Sequence, residues 1–433
     1  MAVQLTMNRR RFLSAVGIGA APLVVPGVVL GDEGGRPPND RITVGFIGVG
    51  NMGMGNLRGF LWSRDCQIVA VCDVDQSRCD KARDTVNKHY AKERASGTYR
   101  GCAACSDFRE IIARDDIDAV VISTADHWHV LAALAAVRSG KDVYVEKPLS
   151  VTIEEGRVLS DAARRYGRVL QMGSQQRSDQ RFRFACELVR NGRIGEVKHV
   201  KVGLSKGRAM GVAPAMPVPK GFDYDMWLGP APWAPYTQAR CHYNFRFISD
   251  YSGGQMLNWG SHHLDIAQWG LGTDRSGPAE VKGRGEYPKD GLFDNPVTYE
   301  VDYRYASGIT LNCSTSNRTG TRFEGTDGWV YVNRGKIDAG PKSLLRSVIL
   351  PGEIHLYRSR SHRANFLECV RTRAETVTPV EVGHRSATMG HLGNIAMLLE
   401  RPLRWSPEAE TFVDDPEANR LISRAMRGPW RLS

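Results

Sequence analysis

The sequence predicts an α/β protein in two parts. The first is a doubly wound parallel sheet, and the second is an α/β region with an antiparallel or mixed sheet left open on one face. Three observations carry this. Between residues 41 and 150, apolar β-branched runs alternate with helical segments, the pattern of a parallel sheet covered on both faces. After about residue 165 the strands alternate apolar and polar residues, the mark of a sheet with one face left open. And 433 residues are enough for two domains, each with its own core.

Composition narrows the class. An apolar content of 42% and a charged content of 24% are those of a globular chain. The net charge is +11, but apart from Arg9, Arg10 and Arg11 the basic residues are scattered, which argues against nucleic-acid binding and leaves an acidic or polyhydroxy ligand open. Residues 1–31 carry that arginine cluster, then Phe12-Leu13 and a modest apolar run broken by Gly17, Gly19, Pro22, Pro26 and Gly27. The run is too interrupted for a membrane span and resembles a twin-arginine export signal, with Arg9-Arg10 as the pair and cleavage expected after Gly31. Residues 32–40 read as a linker, 41–165 as the first domain and 166–433 as the second, and no later segment is apolar enough to cross a bilayer. The cysteines number nine, and the only close pair is Cys102-Ala-Ala-Cys105. Without a second C-x-x-C a zinc site is unsupported, and no metal is expected; in an oxidising compartment the pair is placed for a local disulfide.

Within the first domain, strands are expected at 41–50, 66–75, 117–124 and 141–148, with helices after each of the first three. Asp107 and Glu110 have capping-box spacing ahead of a short helix, and Gly140 reads as a helix stop. In the second domain Val200, Val202 and Leu204 share one strand face, and Tyr299, Val301, Tyr303 and Tyr305 another, with Ala306-Ser307-Gly308 as the hairpin turn. "GWVYVNRGKIDA" repeats the style. Leu392, Ile395, Ala396 and Leu399 recur at helical spacing, and the chain closes in an extended tail with a short helix.

The chemistry begins at "TVGFIGVGNMGMGNL", residues 43–57, where Gly48, Gly50 and Gly53 form G-x-G-x-x-G between a strand and a helix. Gly48 makes the turn, Gly50 lets a pyrophosphate approach the backbone, and Gly53 lets helix and strand pack closely. The helix opening at Asn51 and Met52 offers free N–H groups and partial positive charge to phosphates. Asp73 ends the next strand, twenty positions after Gly53, where a carboxylate accepts ribose hydroxyls and repels a 2′-phosphate. The segment therefore reads as a Rossmann dinucleotide-binding turn, with NAD expected over NADP, although Arg78 lies close by. Thr124, Glu146 and Lys147 sit at later strand ends, which line the ligand crevice of such a sheet. In "GGQMLNWGSHHLDIAQWG", residues 253–270, Asn258 and His262 are four apart on one helix face, with His263 and Asp265 beside them.

These stretches, with "STADHWHVLAALAAVRSGKDVYVEKPLS", "NGRIGEVKHV" and "MWLGPAPW", resemble the glucose–fructose oxidoreductase, inositol dehydrogenase and MocA-like family over residues 40 to about 410. The resemblance implies a Rossmann domain followed by an open-sheet α/β domain, a cis peptide before Pro148, and a Lys147 that meets both nicotinamide ribose and substrate hydroxyl. It also implies a homodimer or homotetramer formed through the open sheet. An Asp and a His four apart complete the family site; here those positions are Asn258 and His262. An amide orients a hydroxyl but takes no proton, so a standard relay is in question.

Together these features point to an NAD(P)-dependent oxidoreductase acting on a sugar or polyol hydroxyl with tightly bound cofactor. Lys147, His262 and Asn258 are the candidate catalytic residues, with His262 expected as the base. Gly48, Gly50, Asn51, Met52, Gly53, Asp73, Thr124, Glu146 and Lys147 are the candidate cofactor residues. His263, Asp265 and Arg246 are the candidate substrate residues, while Gln175, Gln176 and Arg177 are candidates for the nicotinamide side. His127 and His129 fit either the crevice edge or a helix start. Two rival readings stand beside this one: an NAD-dependent glycosidase that oxidises C3 transiently, and a non-catalytic sugar- or NAD-binding protein.

Overall fold

The computed structural model describes residues 40–433. The expected export signal and all but the last residue of the expected linker lie outside the described residues.

The first sheet has six parallel strands: β1 (Ile42–Ile47), β2 (Cys66–Cys72), β3 (Ala103–Cys105), β4 (Ala119–Ile122), β5 (Asp142–Val145) and β6 (Leu170–Met172), ordered β3-β2-β1-β4-β5-β6. The order reverses at β1, so the crevice between the carboxyl ends of β1 and β4 is the switch point where such sheets take ligands. Strands β4 and β5 are wholly buried, which explains their unbroken apolar runs. Strand β6 begins beyond the expected boundary at residue 165, so the first sheet reaches further along the chain than its sequence pattern suggests. A three-residue strand is too short to show periodicity.

The second sheet has nine strands: β7 (Val197–Gly203), β8 (Glu280–Glu286), β9 (Thr298–Arg304), β10 (Thr310–Ser314), β11 (Gly320–Gly325), β12 (Trp329–Asn333), β13 (Lys336–Gly340), β14 (Leu403–Ser406) and β15 (Thr411–Phe412), ordered β13-β12-β11-β7-β10-β9-β8-β14-β15. Only β7 and β10 run parallel. The C-terminal tail thus supplies the last two strands at one end of the sheet, where an extended segment is expected. Val200, Val202, Val301, Tyr303, Leu311, Phe323 and Val330 face the helices Gln180–Arg190, Gly260–Leu271 and Val380–Leu399 in one core. The opposite face is charged and cross-paired: Arg284 with Glu300 at 2.6 Å, Lys201 with Glu324 at 3.3 Å, and Lys282 with Asp302 at 3.6 Å.

The chain does not divide its cores in sequence order. Helix His362–Thr372 packs Phe366 and Leu367 into the β1–β2 side of the first sheet. Phe366 meets Tyr144 and Phe60 edge-on, with ring centres 5.8 and 6.3 Å away. None of the nine cysteines forms a disulfide. Cys105 stands in register with Cys72 of β2, while the Cys102 thiol meets the Ala103 carbonyl; residues three apart in an extended chain point to opposite sides, so Cys102 and Cys105 are not brought together. Among the described residues no helix is long and apolar enough to cross a membrane.

Phe366→Ala should cost about 3–5 kcal/mol of stability, because it empties a fully buried aromatic site that joins helix His362–Thr372 to the first sheet. A guanidinium denaturation midpoint checks this. A loss under about 1 kcal/mol would mean that the helix does not seal that core.

Candidate active site at the mouth of a dinucleotide cleft

The glycine turn is shaped by close backbone approach. Gly48 has φ of 81°, and a Cβ there would lie 2.6 Å from Thr124 N. A Cβ on Gly53 would lie 2.1 Å from the Gly48 carbonyl oxygen, so helix Asn51–Leu61 packs this closely on the turn only with glycine there. A Cβ on Gly50 would meet only the Arg78 guanidinium, since this residue faces open space. Gly48, Gly50, Asn51, Met52, Asp73, Thr124, Glu146 and Lys147 line one continuous cleft, and Arg246 joins them from the far wall. Asp73 accepts the Val49 N–H at 2.8 Å and the Asp75 N–H at 3.0 Å, one on each carboxylate oxygen. Those bonds aim the carboxylate and leave a further lone pair on each oxygen for a hydroxyl donor. This bare turn, free helix N-terminus and fixed carboxylate fit a dinucleotide such as NAD.

Glu146 is nine-tenths buried and accepts Asn56 Nδ2 at 2.9 Å. The Asn56 carbonyl in turn accepts Arg363 Nε at 3.2 Å, which ties helix His362–Thr372 to the cleft. Lys147 follows, with the cis Lys147–Pro148 peptide turning the chain at the strand end. Its ammonium donates to Asn258 Oδ1 at 2.6 Å and to the Asn258 carbonyl at 2.9 Å. Asn258 Nδ2 donates to Gln255 Oε1 at 3.1 Å, which fixes the amide so that its oxygen faces the lysine. Asn258 closes the short helix Gly254–Asn258, and His262 sits in the first turn of the next, Gly260–Leu271. The helix breaks at Trp259 between them, yet the His262 N–H bonds the Trp259 carbonyl at 3.0 Å, so the turn continues. His262 is buried, and its Nδ1 has no partner among the described residues.

Burial lowers Lys147 to about 8; Glu146 and Asp126 oppose the shift, while Arg246 and Arg334 add to it. Burial, then the Lys147 charge, drives His262 well below the usual histidine range, so the imidazole is neutral at neutral pH.

Other expected residues lie elsewhere. Asp265 is fully buried and takes the Arg177 guanidinium at 2.8 Å, with Ser174 and Ser386 hydroxyls at 2.9 and 2.6 Å. Arg177 also holds Asp274 at 2.9 Å. That ion pair uses up both side chains, so neither the substrate role expected of Asp265 nor the nicotinamide-side role expected of Arg177 stands. His263 is fully buried, stacked on Trp259 with ring centres 6.0 Å apart, and points to the sheet-side core, which removes it from substrate contact. The Gln176 amide is buried with both polar atoms unpartnered among the described residues. His127 Nε2 bonds the Trp227 carbonyl and His129 Nδ1 the Pro148 carbonyl, at 2.9 and 2.7 Å; both are positioning contacts.

Sequence reasoning missed the opposite wall. Residues 219–229 cross the carboxyl end of β2: Phe222 bridges Asp75, Gln76 N–H bonds the Gly221 carbonyl and Asp223 N–H the Val74 carbonyl, each at 2.9 Å. Behind this strap Tyr224, Trp227, Tyr236, Phe245, Phe247 and Tyr251 form their own aromatic cluster. Asp126 was missed too: its carboxylate lines the cleft and accepts the Ser252 hydroxyl at 2.5 Å. The "MWLGPAPW" stretch was the only signal of the strap.

Comparison with known proteins agrees with this geometry. Residues 42–174 match the NAD-binding Rossmann fold of an oxidoreductase family, and residues 203–432 match its C-terminal alpha/beta domain. A glycosyl hydrolase family 109 protein of Shewanella baltica is 31% identical over 209 residues, 45% of this chain and 45% of that protein. An alpha-N-acetylgalactosaminidase of Shewanella oneidensis is similar to the same extent, so the chain spans under half the length of these curated relatives. Among solved structures, the WlbA dehydrogenase of Bordetella pertussis, in complex with NADH and UDP-GlcNAcA, superposes with a TM-score of 0.62 at 17% identity, covering 84% of this chain and 98% of that one. The aldose-aldose oxidoreductase of Caulobacter crescentus gives 0.61 at 18% identity, covering 84% and 99%. With both domains matched in order and the glycine turn, strand-end lysine and facing helix in place, the chain belongs to the oxidoreductase family that joins an NAD-binding Rossmann fold to a C-terminal α/β domain.

Proposed function

We propose that the protein oxidises or reduces a hydroxyl-bearing carbon of a sugar or polyol, using NAD that it holds tightly. The observation that carries this reading is the Lys147 ammonium, held by Asn258 at the end of β5 where the dinucleotide cleft opens. When bound, NAD supplies the redox chemistry at its nicotinamide ring. The chain supplies the rest. The glycine turn and Asp73 hold the dinucleotide, and the strap shields it. Lys147 moves the hydroxyl proton, because its pKa lies near working pH. His262, kept neutral, orients the hydroxyl and serves as a weaker acceptor than its unperturbed pKa suggests. Asn258 replaces charge stabilisation with direction: it fixes two of the three ammonium protons.

The same reading places the protein outside the cytoplasm by the twin-arginine route, which exports folded proteins with their cofactor in place. It also has the charged open sheet joining two or four copies. A second reading draws on the relatives named as glycosyl hydrolase family 109 and alpha-N-acetylgalactosaminidase. In that case the same lysine serves a transient oxidation, elimination and re-reduction with no net cofactor change.

Four measurements test these statements. The purified protein, once denatured, should release NAD(H); Gly53→Ala should release none while keeping its circular dichroism. Sugars that leave a lasting reduced-cofactor signal support the first reading, and nitrophenyl glycosides cleaved without one support the second. If neither happens, the protein binds without catalysis. The oxidation rate should rise with pH through about 8, since the ammonium below that value has no lone pair and the amine above it does. Lys147→Met should abolish this limb and cost about 10²–10⁴-fold in kcat. A profile governed instead by a group near 6.5 would point back to His262 as the base. Replacing Arg9 and Arg10 with lysine should leave the protein in the cytoplasm on cell fractionation; unaltered export would refute the signal.

A further inference from the structure

Arg246 stands out in the cleft. Its guanidinium lies over two rings, 4.6 Å from the centre of Phe245 and 4.8 Å from that of Tyr243. Nη1 donates to the Tyr243 carbonyl at 3.0 Å. Among the described residues no carboxylate lies in ion-pair distance of it. Arg334, at the turn between β12 and β13, reaches 4.8 Å over the Trp259 ring, beside Asn258, and it too has no carboxylate partner among the described residues. Arg208 covers Tyr243 and Phe247 at 5.6 and 5.4 Å from the next segment. By contrast the buried Arg177 is paired with Asp265 and Asp274.

The carboxylates that face Lys147 are already engaged. Glu146 holds Asn56 and Asp126 holds Ser252, and neither bonds Arg246 or Arg334. Arg246 lines the cleft with Lys147, and Arg334 adds its charge from the turn beside Trp259, so the repulsion among these three cations is incompletely offset. An arrangement like this has a natural complement. A guanidinium resting on aromatic rings has given up part of its rotamer freedom in advance, and a guanidinium edge presents parallel N–H groups at the spacing of carboxylate oxygens.

We propose that the substrate is a sugar acid, a pyranose bearing a carboxylate, and that Arg246 receives that carboxylate with Arg334 as the supporting cation. This rests on the sugar-hydroxyl reading above and names its substrate class. The ring hydroxyl then faces Lys147 while the acid group is anchored across the cleft, which fixes which carbon reacts.

The test uses the purified protein with its retained NAD. Calorimetric titration with D-glucuronate and D-galacturonate is compared with glucose, galactose and glucose 6-phosphate. A uronate should bind at least about tenfold more tightly than its neutral parent, with affinity falling as salt is raised. Arg246→Met should remove that preference, and Arg246→Lys should restore only part of it, since lysine keeps the charge and lacks the fork. Arg334→Gln, on an exposed turn, should reduce the preference about threefold to tenfold, and serves if the Arg246 variants fail to fold. Equal or tighter binding of neutral sugars, or tighter binding of the sugar phosphate, overturns the proposal. So does an Arg246→Met protein that loses its NAD while any uronate preference persists, because the arginine would then serve the cofactor. Uronate binding without turnover in the sugar and glycoside panels would leave this subsite standing and sink the catalytic reading; turnover of neutral sugars with no uronate preference would do the reverse.

Discussion

The contact between Lys147 and Asn258 is the constraint around which the site is arranged. A buried ammonium is costly unless its protons find acceptors. Here the acceptors are a side-chain amide and a main-chain carbonyl of a single residue, carried on a helix that packs against the second sheet. The ammonium comes from the end of a strand in the first sheet. The bond can form only when the two halves are docked, so the docking sets where the ammonium sits. It also explains why an amide suits position 258. A carboxylate there would lock Lys147 in its charged form, whereas a neutral oxygen holds the nitrogen in place and leaves burial free to lower its pKa toward neutrality.

Much of this was legible because it is local. The glycine turn, the strand ends carrying Asp73, Thr124 and Lys147, and the alternating strands of the second sheet all depend on residues within a turn or two of one another. What could not be read depends on long-range partners. Asp265 sits three residues after His262 and would share its side of the helix, yet Arg177 from a different element claims it. His263 lies about 100° further round the helix and so enters the core. Cys105 found its neighbour across the sheet rather than along the chain. Strand β6 was too short to announce which sheet it joins. Arg334 and the strap at 219–229 approach the cleft from sequence positions far from the glycine turn, and no periodicity reports such an approach.

The two faces of the second sheet divide the work. The inner face is a continuous apolar layer that supports the helices bearing Asn258 and His262. Helix Val380–Leu399 packs on both, and Gly390 lets Leu257 come close, with a Cβ there only 2.7 Å from the leucine. The position of Asn258 is thus set by packing rather than by loop conformation, which is how a site keeps the sub-ångström tolerance that proton transfer needs.

The strap has a consequence for how the molecule is put together. It is bonded along the rim at Val74, Asp75 and Gln76, and a further clasp from Arg427 holds the Asp225 and Gly229 carbonyls at 2.8 and 2.9 Å. A ligand in the cleft has this strap along one side, held by these bonds and by the aromatic cluster behind it. Local opening of the strap then adds to the ligand's own contacts in setting its residence time. A dinucleotide acquired while the chain is still folding would then stay for many turnovers, closer to a prosthetic group than to a co-substrate.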